Sequence, residues 1–179
     1  MVRRESSRVA GVRLTMATAA FNYSQAERTN AILNKHRVRF VFFGKSGAIL
    51  LGFSDTTQDV DIFPSKERQN CKRLIAALSE LGFNLKDSQK AEIAKGKDFI
   101  QLRDGPFDLD LIFAPDGVES FDDVWRNRVV VEGFPVANID DIIKSKRAAG
   151  RPRDKESLPR LLSFRDWLSE NKMHRRRRP

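Results

Sequence analysis

The sequence has few of the features that mark secreted, zinc-binding or membrane proteins. Cys71 is the only cysteine among 179 residues, which excludes a disulfide or a thiolate zinc site within the chain and leaves a core or half-buried thiol. No apolar run approaches the roughly 20 residues that span a bilayer, and no signal-peptide-like stretch follows the Arg-rich N-terminus. We therefore expect a cytoplasmic protein without a membrane partner.

Acidic residues are in the minority, and the basic excess is partly concentrated at the two ends. The 33 Lys and Arg outnumber the 24 Asp and Glu, and the net charge of +9 favours polyanions such as tRNA or another nucleic acid. The alternative is that both tails are disordered and solvated, and we favour it for the first twenty residues. Met16 is a candidate for the true translation start. We expect a basic segment at 1–20, one domain at 21–168 and an Arg-rich tail at 169–179. The terminal arginines are Arg3, Arg4, Arg8, Arg13 and Arg175 to Arg178.

Apolar periodicity predicts an α/β (α+β) chain of alternating helices and strands. The first helix is expected to begin with Ser24 as N-cap and Glu27 as its capping-box partner. Turns at Asp104-Gly105 and Glu132-Gly133 predict two hairpins. The predicted helices are 24–36, 46–51, 67–81, 140–149 and 154–168, and the predicted strands are 38–43, 60–63, 99–102, 107–113, 128–131 and 134–137.

The pair Asp59 and Asp61 is the most informative pattern in the sequence. Side chains alternate along a strand, so both carboxylates should share one face while Val60 and Ile62 occupy the other. Like charges this close repel and raise each other's pKa. The pair therefore favours a site in which a divalent cation lies between the carboxylates.

A second strand repeats the pattern with Asp108 and Asp110. As a neighbour of the first strand it would supply a third carboxylate for one or two Mg²⁺ ions. The alternative is that Asp108 and Asp110 form the solvated face of an antiparallel strand. Two such strands in one small domain favour the site.

Gly44, Lys45 and Ser46 follow a predicted strand and open a short helix. A P-loop is excluded because that motif needs a glycine five residues before Gly44, where Arg39 stands. A strand, a tight turn and free helix N–H groups nevertheless make a general anion site suited to a triphosphate.

Taken together, these motifs resemble the nucleotidyltransferase superfamily typified by DNA polymerase β. The similarity is greater to the minimal nucleotidyltransferases of bacteria and archaea, including the toxins of abortive-infection systems. It extends over residues 38 to 165 and implies a small mixed, largely antiparallel β-sheet flanked by helices. The matching positions are Gly44, Ser46, Gly52, Thr57, Asp59, Asp61, Asp110, Lys146, Gly150, Arg151 and Asp154.

The resemblance implies roles for these residues and a metal-dependent reaction. Asp59, Asp61 and Asp110 would bind Mg²⁺ or Mn²⁺, and Asp110 would also help to deprotonate the attacking hydroxyl, with Asp108 as the alternative third ligand. Gly44, Lys45 and Ser46 would hold the phosphates of an NTP substrate such as ATP, near Thr57. Lys146 and Arg151 would contact the triphosphate or the acceptor; the alternative is a helix-end cap with an Arg151–Asp154 ion pair.

Two positions depart from the family pattern, and they keep a second function open. Lys45 replaces a glycine common in the turn, and Asp55 stands where relatives often have arginine, which predicts reduced activity. The enzyme reading is transfer of an NMP to a hydroxyl on a protein, a tRNA or a small molecule, and it is compatible with a toxin that has an antitoxin partner. The competing reading is a nucleic-acid-binding module that has lost its chemistry.

Overall fold

The computed structural model describes residues 20–176, and side chains as far as 171. The predictions for residues 1–19, including Met16, and for the side chains of Arg175 to Arg178 lie outside these residues. The helices are α1 Tyr23–Lys35, α2 Gly44–Leu50, α3 Arg68–Leu81, α4 Asp87–Lys95, α5 Phe121–Asn127, α6 Ile139–Ala149 and α7 Pro152–Arg176. The strands are β1 Phe40–Phe42, β2 Asp59–Pro64, β3 Phe99–Leu102, β4 Asp108–Ile112, β5 Val129–Val131 and β6 Phe134–Val136.

The strands form one mixed sheet in the order β3-β4-β2-β1-β6-β5. Strand β1 is antiparallel to β2, β3 to β4 and β5 to β6, whereas β2 runs parallel to β4 and β1 to β6. This α+β architecture, with helices on both faces, confirms the predicted fold class. Both predicted hairpins are present, and the positive φ angles of Glu132 (50°) and Gly133 (86°) are those of a type I′ turn.

The two faces of the sheet bury separate apolar clusters. The first contains Val60 and Ile62 of β2, Leu109 and Leu111 of β4, and residues of α1, α3 and α4. The second contains Phe63 of β2 and residues of α2, α5, α6 and α7. Because side chains alternate along a strand, Asp59 and Asp61 lie on the second face. The site is therefore built between the sheet and the later helices.

Several predicted boundaries need correction. The N-cap of α1 is Asn22, not Ser24, and its capping-box partner is Gln25, because the Asn22 side chain accepts from Gln25 N and the Gln25 side chain accepts from Asn22 N. Helix α2 begins at Gly44, and α7 begins at Pro152 and continues to Arg176. Helices α4 and α5 were not predicted. Helix α4 buries only Ile93 and so has little apolar periodicity, whereas α5 is only seven residues long, although Phe121, Val124 and Trp125 lie at helical spacing.

Cys71 is fully buried in α3, as predicted, and burial raises the pKa of its thiol. Among the described residues, no helix combines the length and apolar character needed to cross a membrane.

Candidate active site

The four aspartates of the two patterns lie side by side. In the parallel pairing of β2 with β4, Asp59 is opposite Asp108 and Asp61 is opposite Asp110. Asp108 is 8% exposed and Asp110 is 6% exposed. The alternative prediction, that Asp108 and Asp110 form the solvated face of an antiparallel strand, is therefore wrong. The pairing of β2 with β4 brings the acidic residues together, as the repeated pattern predicted.

Asp61 is held at the start of α2. The backbone N–H groups of Lys45 and Ser46 donate to Asp61 Oδ2 at 3.1 and 3.3 Å. Gly44 has a φ of +56°, and a Cβ placed there would lie 2.7 Å from Asp61 Oδ2. The predicted phosphate turn thus binds a carboxylate of the chain itself through two of its N–H groups.

Ser46 is buried beneath this contact. Its hydroxyl accepts from Asp61 N at 2.8 Å and is close to the carbonyl oxygens of Phe43 and Asp61, both at 3.4 Å. These bonds fix β2 to α2. The Ser46 side chain therefore supports Asp61 and does not reach the cavity, whereas Gly44 and Lys45 line it.

Two of the carboxylates have raised pKa values. Burial is the main cause that raises the pKa of Asp61 from 3.8 to about 7; the hydrogen bond from Ser46 N opposes it, and Asp110 and Asp59 add to it. Burial also raises the pKa of Asp110, although the Arg103 guanidinium beside it acts in the opposite direction. The site carries negative charge that the surrounding chain compensates only in part.

Arg103 is a site residue that was missed in the sequence. Its Nη1 lies 2.8 Å from Asp110 Oδ1, its Nη2 lies 3.6 Å from Asp59 Oδ1, and its Nε lies 3.8 Å from Asp108 Oδ2. A signal was present: the predicted hairpin pairs Leu102 with Leu109, which places the next residue, Arg103, opposite Asp108.

A single cavity of about 840 Å³ joins the two ends of the predicted motif. It is lined by most of the predicted site residues, which come from β2 and the loop before it, from β4, α2 and α6, and from the start of α7 with the residue before it. Phe99, Asp98 and Asp116 are further lining residues that the sequence did not indicate. The predicted residues that line it are Gly44, Lys45, Thr57, Asp59, Asp61, Asp110, Lys146, Arg151 and Asp154.

The basic residues from the C-terminal motif pair differently from the predicted alternative. Lys146 Nζ lies 3.0 Å from Asp154 Oδ1, and both side chains are nearly buried. Arg151 is exposed, and its Nη2 lies 3.6 Å from Asp116 Oδ2. The prediction that Arg151 pairs with Asp154 is therefore wrong, and Lys146 is the partner of Asp154.

Asp55 is neutralised by two cations. Its Oδ2 lies 3.5 Å from Lys45 Nζ and 3.5 Å from Arg160 Nη1. Burial raises its pKa, but the hydrogen bond from Thr56 N and the two cations outweigh burial and hold the pKa below its usual value. Asp55 therefore links the turn at 44–46 to α7 and does not present an unpaired negative charge.

A second groove of about 490 Å³ is lined by Ser54 and by Arg160, the α7 partner of Asp55. Its wall includes Phe164 and Trp167, whose rings stack with centroids 5.9 Å apart and an interplanar angle of 17°. Trp167 is 56% exposed, and the Arg160 guanidinium lies over the Phe53 ring.

The site suits a divalent cation in the chemistry of its donors. Asp59, Asp61 and Asp110 offer hard oxygen ligands from adjacent strands, and Asp110 Oδ1 is buried and accepts no well-oriented hydrogen bond despite the proximity of Arg103. As the side chains stand, no three acidic, His or Cys residues in the described part of the chain are grouped closely enough to hold an ion. Metal binding therefore requires the carboxylates to converge.

Comparison with solved structures identifies the fold. A Thermotoga maritima protein described provisionally as a nucleotidyltransferase aligns with a TM-score of 0.51 and 18% identity over 82% of this chain and 92% of its own. The antibiotic-resistance factor ANT(2'')-Ia aligns with a TM-score of 0.52 and 16% identity over 88% of this chain and 100% of its own. No family model matches the chain, and no curated protein matches its sequence. The chain thus has a nucleotidyltransferase-like fold.

Proposed function

We propose that this protein is a nucleotidyltransferase that moves an NMP from an NTP to a hydroxyl group. One observation carries the proposal: a single cavity gathers the turn at Lys45, the carboxylates of Asp59, Asp61 and Asp110, and Lys146 from the C-terminal motif. These groups are far apart in the sequence. Their convergence in a nucleotidyltransferase-like fold is what a triphosphate-using site requires.

In the proposed reaction, the acceptor oxygen bonds to the α-phosphorus of the NTP while the bond from that phosphorus to the bridging oxygen of the leaving pyrophosphate breaks. Asp110 takes the proton of the acceptor hydroxyl, because its carboxylate lines the cavity in which the acceptor would lie. The products are the NMP ester of the acceptor and pyrophosphate.

Asp59, Asp61 and Asp110 would hold Mg²⁺ or Mn²⁺, which when bound neutralises the phosphate oxygens and the developing charge on the attacking and leaving oxygens. Asp61 is already oriented for this role by two backbone N–H groups. The work of the chain is to position the reactants and stabilise charge.

Four basic residues line the cavity where a triphosphate would lie: Lys45, Lys146, Arg151 and Arg153. Lys45 and Lys146 are held in place by Asp55 and Asp154, whereas Arg151, just before α7, is exposed and pairs with Asp116. Asp55 is paired with Lys45 and Arg160, so its negative charge is compensated. Its surroundings therefore do not support the predicted reduction of activity. We propose an active enzyme.

The test is transfer of label from each α-³²P-labelled NTP, with Mg²⁺, to total tRNA, to lysate protein or to small molecules. Asp59→Asn and Asp61→Asn should abolish transfer. Asp87→Asn is the control, because Asp87 is fully exposed in α4, pairs with Lys90 and does not line the cavity. If no acceptor is labelled, or if the Asp59 and Asp61 variants transfer as well as the wild type, the proposal fails.

A nucleic-acid-binding function is the second candidate, and the groove at Trp167 favours it. An exposed aromatic stack beside Arg160 resembles the platforms on which unpaired bases stack. The run from Lys172 to Arg178 follows on the same segment and would add phosphate contacts.

Binding to single-stranded RNA would separate the two candidates. A binding module predicts salt-dependent binding that needs no Mg²⁺, survives Asp59→Asn, weakens in Trp167→Ala and is lost on deletion of residues 172–179. If Trp167→Ala and the chain without residues 172–179 both keep their RNA binding, the groove and the tail are excluded as the interface. A toxin role stays a prediction, to be tested by whether expression of wild type, but not of Asp61→Asn, arrests growth.

A further inference from the structure

The Arg103 guanidinium contacts three carboxylates from two strands. Each of its nitrogens faces a different aspartate: Nη1 faces Asp110, Nη2 faces Asp59 and Nε faces Asp108. The shortest contact, 2.8 Å, is to Asp110, whose Oδ1 is buried. Arg103 is thus a counter-cation shared by Asp59, Asp108 and Asp110.

The backbone of Arg103 is fixed, whereas its side chain has room to move. A Cβ on Gly105 would lie 2.2 Å from Phe83 Cδ1, and Asn84 N donates to Asp104 O at 2.9 Å, so the turn after β3 is packed against the segment after α3. The side chain of Arg103 is 38% exposed. A change of rotamer into this solvent-exposed space would move the guanidinium without moving the backbone.

Asp108 differs from the other three aspartates. It lies opposite Asp59 in the β2–β4 pairing, but it does not line the cavity that Asp59, Asp61 and Asp110 line. It is nevertheless buried, and a buried carboxylate requires a partner. Its partner is Arg103.

We propose that Arg103 is a positioning residue that competes with the divalent cation for Asp59 and Asp110, and that Asp108 anchors Arg103 rather than binding metal. A guanidinium and a divalent cation at the same carboxylates repel each other, so metal binding is expected to move Arg103 away from Asp59 and Asp110 while Asp108 keeps it at the site. The inference rests on the proposed function, because it takes these aspartates as metal ligands.

The test is the affinity of the full chain for Mn²⁺ alone, measured from the electron paramagnetic resonance signal of free Mn²⁺, with Mg²⁺ in competition. Arg103→Gln should bind Mn²⁺ at least about threefold more tightly than wild type, because the metal no longer has to displace the partly exposed Arg103 contacts to Asp59 and Asp110. Arg126→Gln, which removes the same charge at a distant exposed pair with Asp123, should change affinity by less than about twofold. Arg103→Lys, which keeps the charge but loses the three-way fork, should lie between wild type and Arg103→Gln, and it replaces Arg103→Gln if that variant does not fold.

The role of Asp108 is tested in the same assay. Asp108→Asn should keep Mn²⁺ affinity within about threefold of wild type, whereas Asp110→Asn should weaken it by at least about tenfold. Unchanged or weaker binding by both Arg103 variants overturns the competition. A loss in Asp108→Asn equal to that in Asp110→Asn makes Asp108 a ligand and overturns the anchor.

The outcomes also separate this inference from the proposed function. Metal binding by wild type that Arg103→Gln does not strengthen overturns the inference and leaves the proposed function standing. Absence of metal binding by every variant overturns the metal site itself, and the inference with it.

Discussion

Replacing Gly44 by alanine perturbs the junction between the turn at 44–46 and Asp61. The new Cβ would lie 2.7 Å from Asp61 Oδ2 and 2.9 Å from its Cγ, both too close for unstrained contact. Asp61 cannot easily retreat, because Lys45 N and Ser46 N hold its carboxylate. Gly44 also has a φ of +56°, which costs a non-glycine residue about 1–2 kcal/mol.

Gly133→Ala separates the two effects. Gly133 has a φ of +86°, but a Cβ there meets nothing within 4 Å. Gly133→Ala should therefore lose about 1–2 kcal/mol of unfolding free energy from backbone strain alone. Gly44→Ala should lose a further ~1–3 kcal/mol, typical of overpacking.

The assay is urea unfolding of wild type and both variants at one pH in EDTA, followed by NTP-dependent label transfer. Gly44→Ala should be the less stable variant and should lose transfer, while Gly133→Ala keeps it. Equal losses of stability in the two variants would refute the close packing of Gly44 on Asp61.

Three further predictions concern single contacts. The pKa of Asp61 in the folded protein is raised to about 7, so the folded protein keeps a proton that the unfolded chain releases above about pH 4. The free energy of unfolding of wild type should therefore fall as the pH rises from about 4 to 7, and Asp61→Asn should gain stability relative to wild type across this window. Urea unfolding with EDTA measures the difference, and a difference that does not change with pH would contradict the raised pKa. Asn70→Ala should cost about 2 kcal/mol in the same assay, because the buried Asn70 side chain accepts from Arg39 N and donates to Arg39 O; a loss below about 0.5 kcal/mol would contradict this. Lys146→Met should destabilise the fold, because it leaves the buried carboxylate of Asp154 unpaired. The double variant with Asp154→Asn should regain stability but not the NTP affinity measured by calorimetry. If the double variant also regains NTP affinity, Lys146 is excluded from the nucleotide site.

The alternation of charged and apolar residues made the acidic strands predictable. Asp59 and Asp61 are out of phase with Val60 and Ile62, and a period of two permits only one buried arrangement of such a strand. The hairpin turns were equally clear. The pairing of the strands at a distance was an expectation from the repeated pattern, and the structure confirms it.

Other features depend on contacts that sequence spacing does not reveal. Lys146 pairs with Asp154 because helix α6 packs against the start of α7. Ser46 turns its hydroxyl toward β2 because α2 packs against that strand. Helices α4 and α5 are short and mostly polar, so their boundaries come from capping and tertiary packing. Arg103 was predictable only by carrying the hairpin register one residue further.

The central claim, nucleotidyl transfer at the Asp59, Asp61 and Asp110 site, is tested most directly by paired reactions with α-³²P and γ-³²P NTP. The prediction is that α-label enters an acceptor in a Mg²⁺-dependent manner, that γ-label appears only in pyrophosphate, and that Asp61→Asn abolishes both. Transfer of the γ-label to the acceptor, or α-label transfer that persists in Asp61→Asn, would contradict the claim.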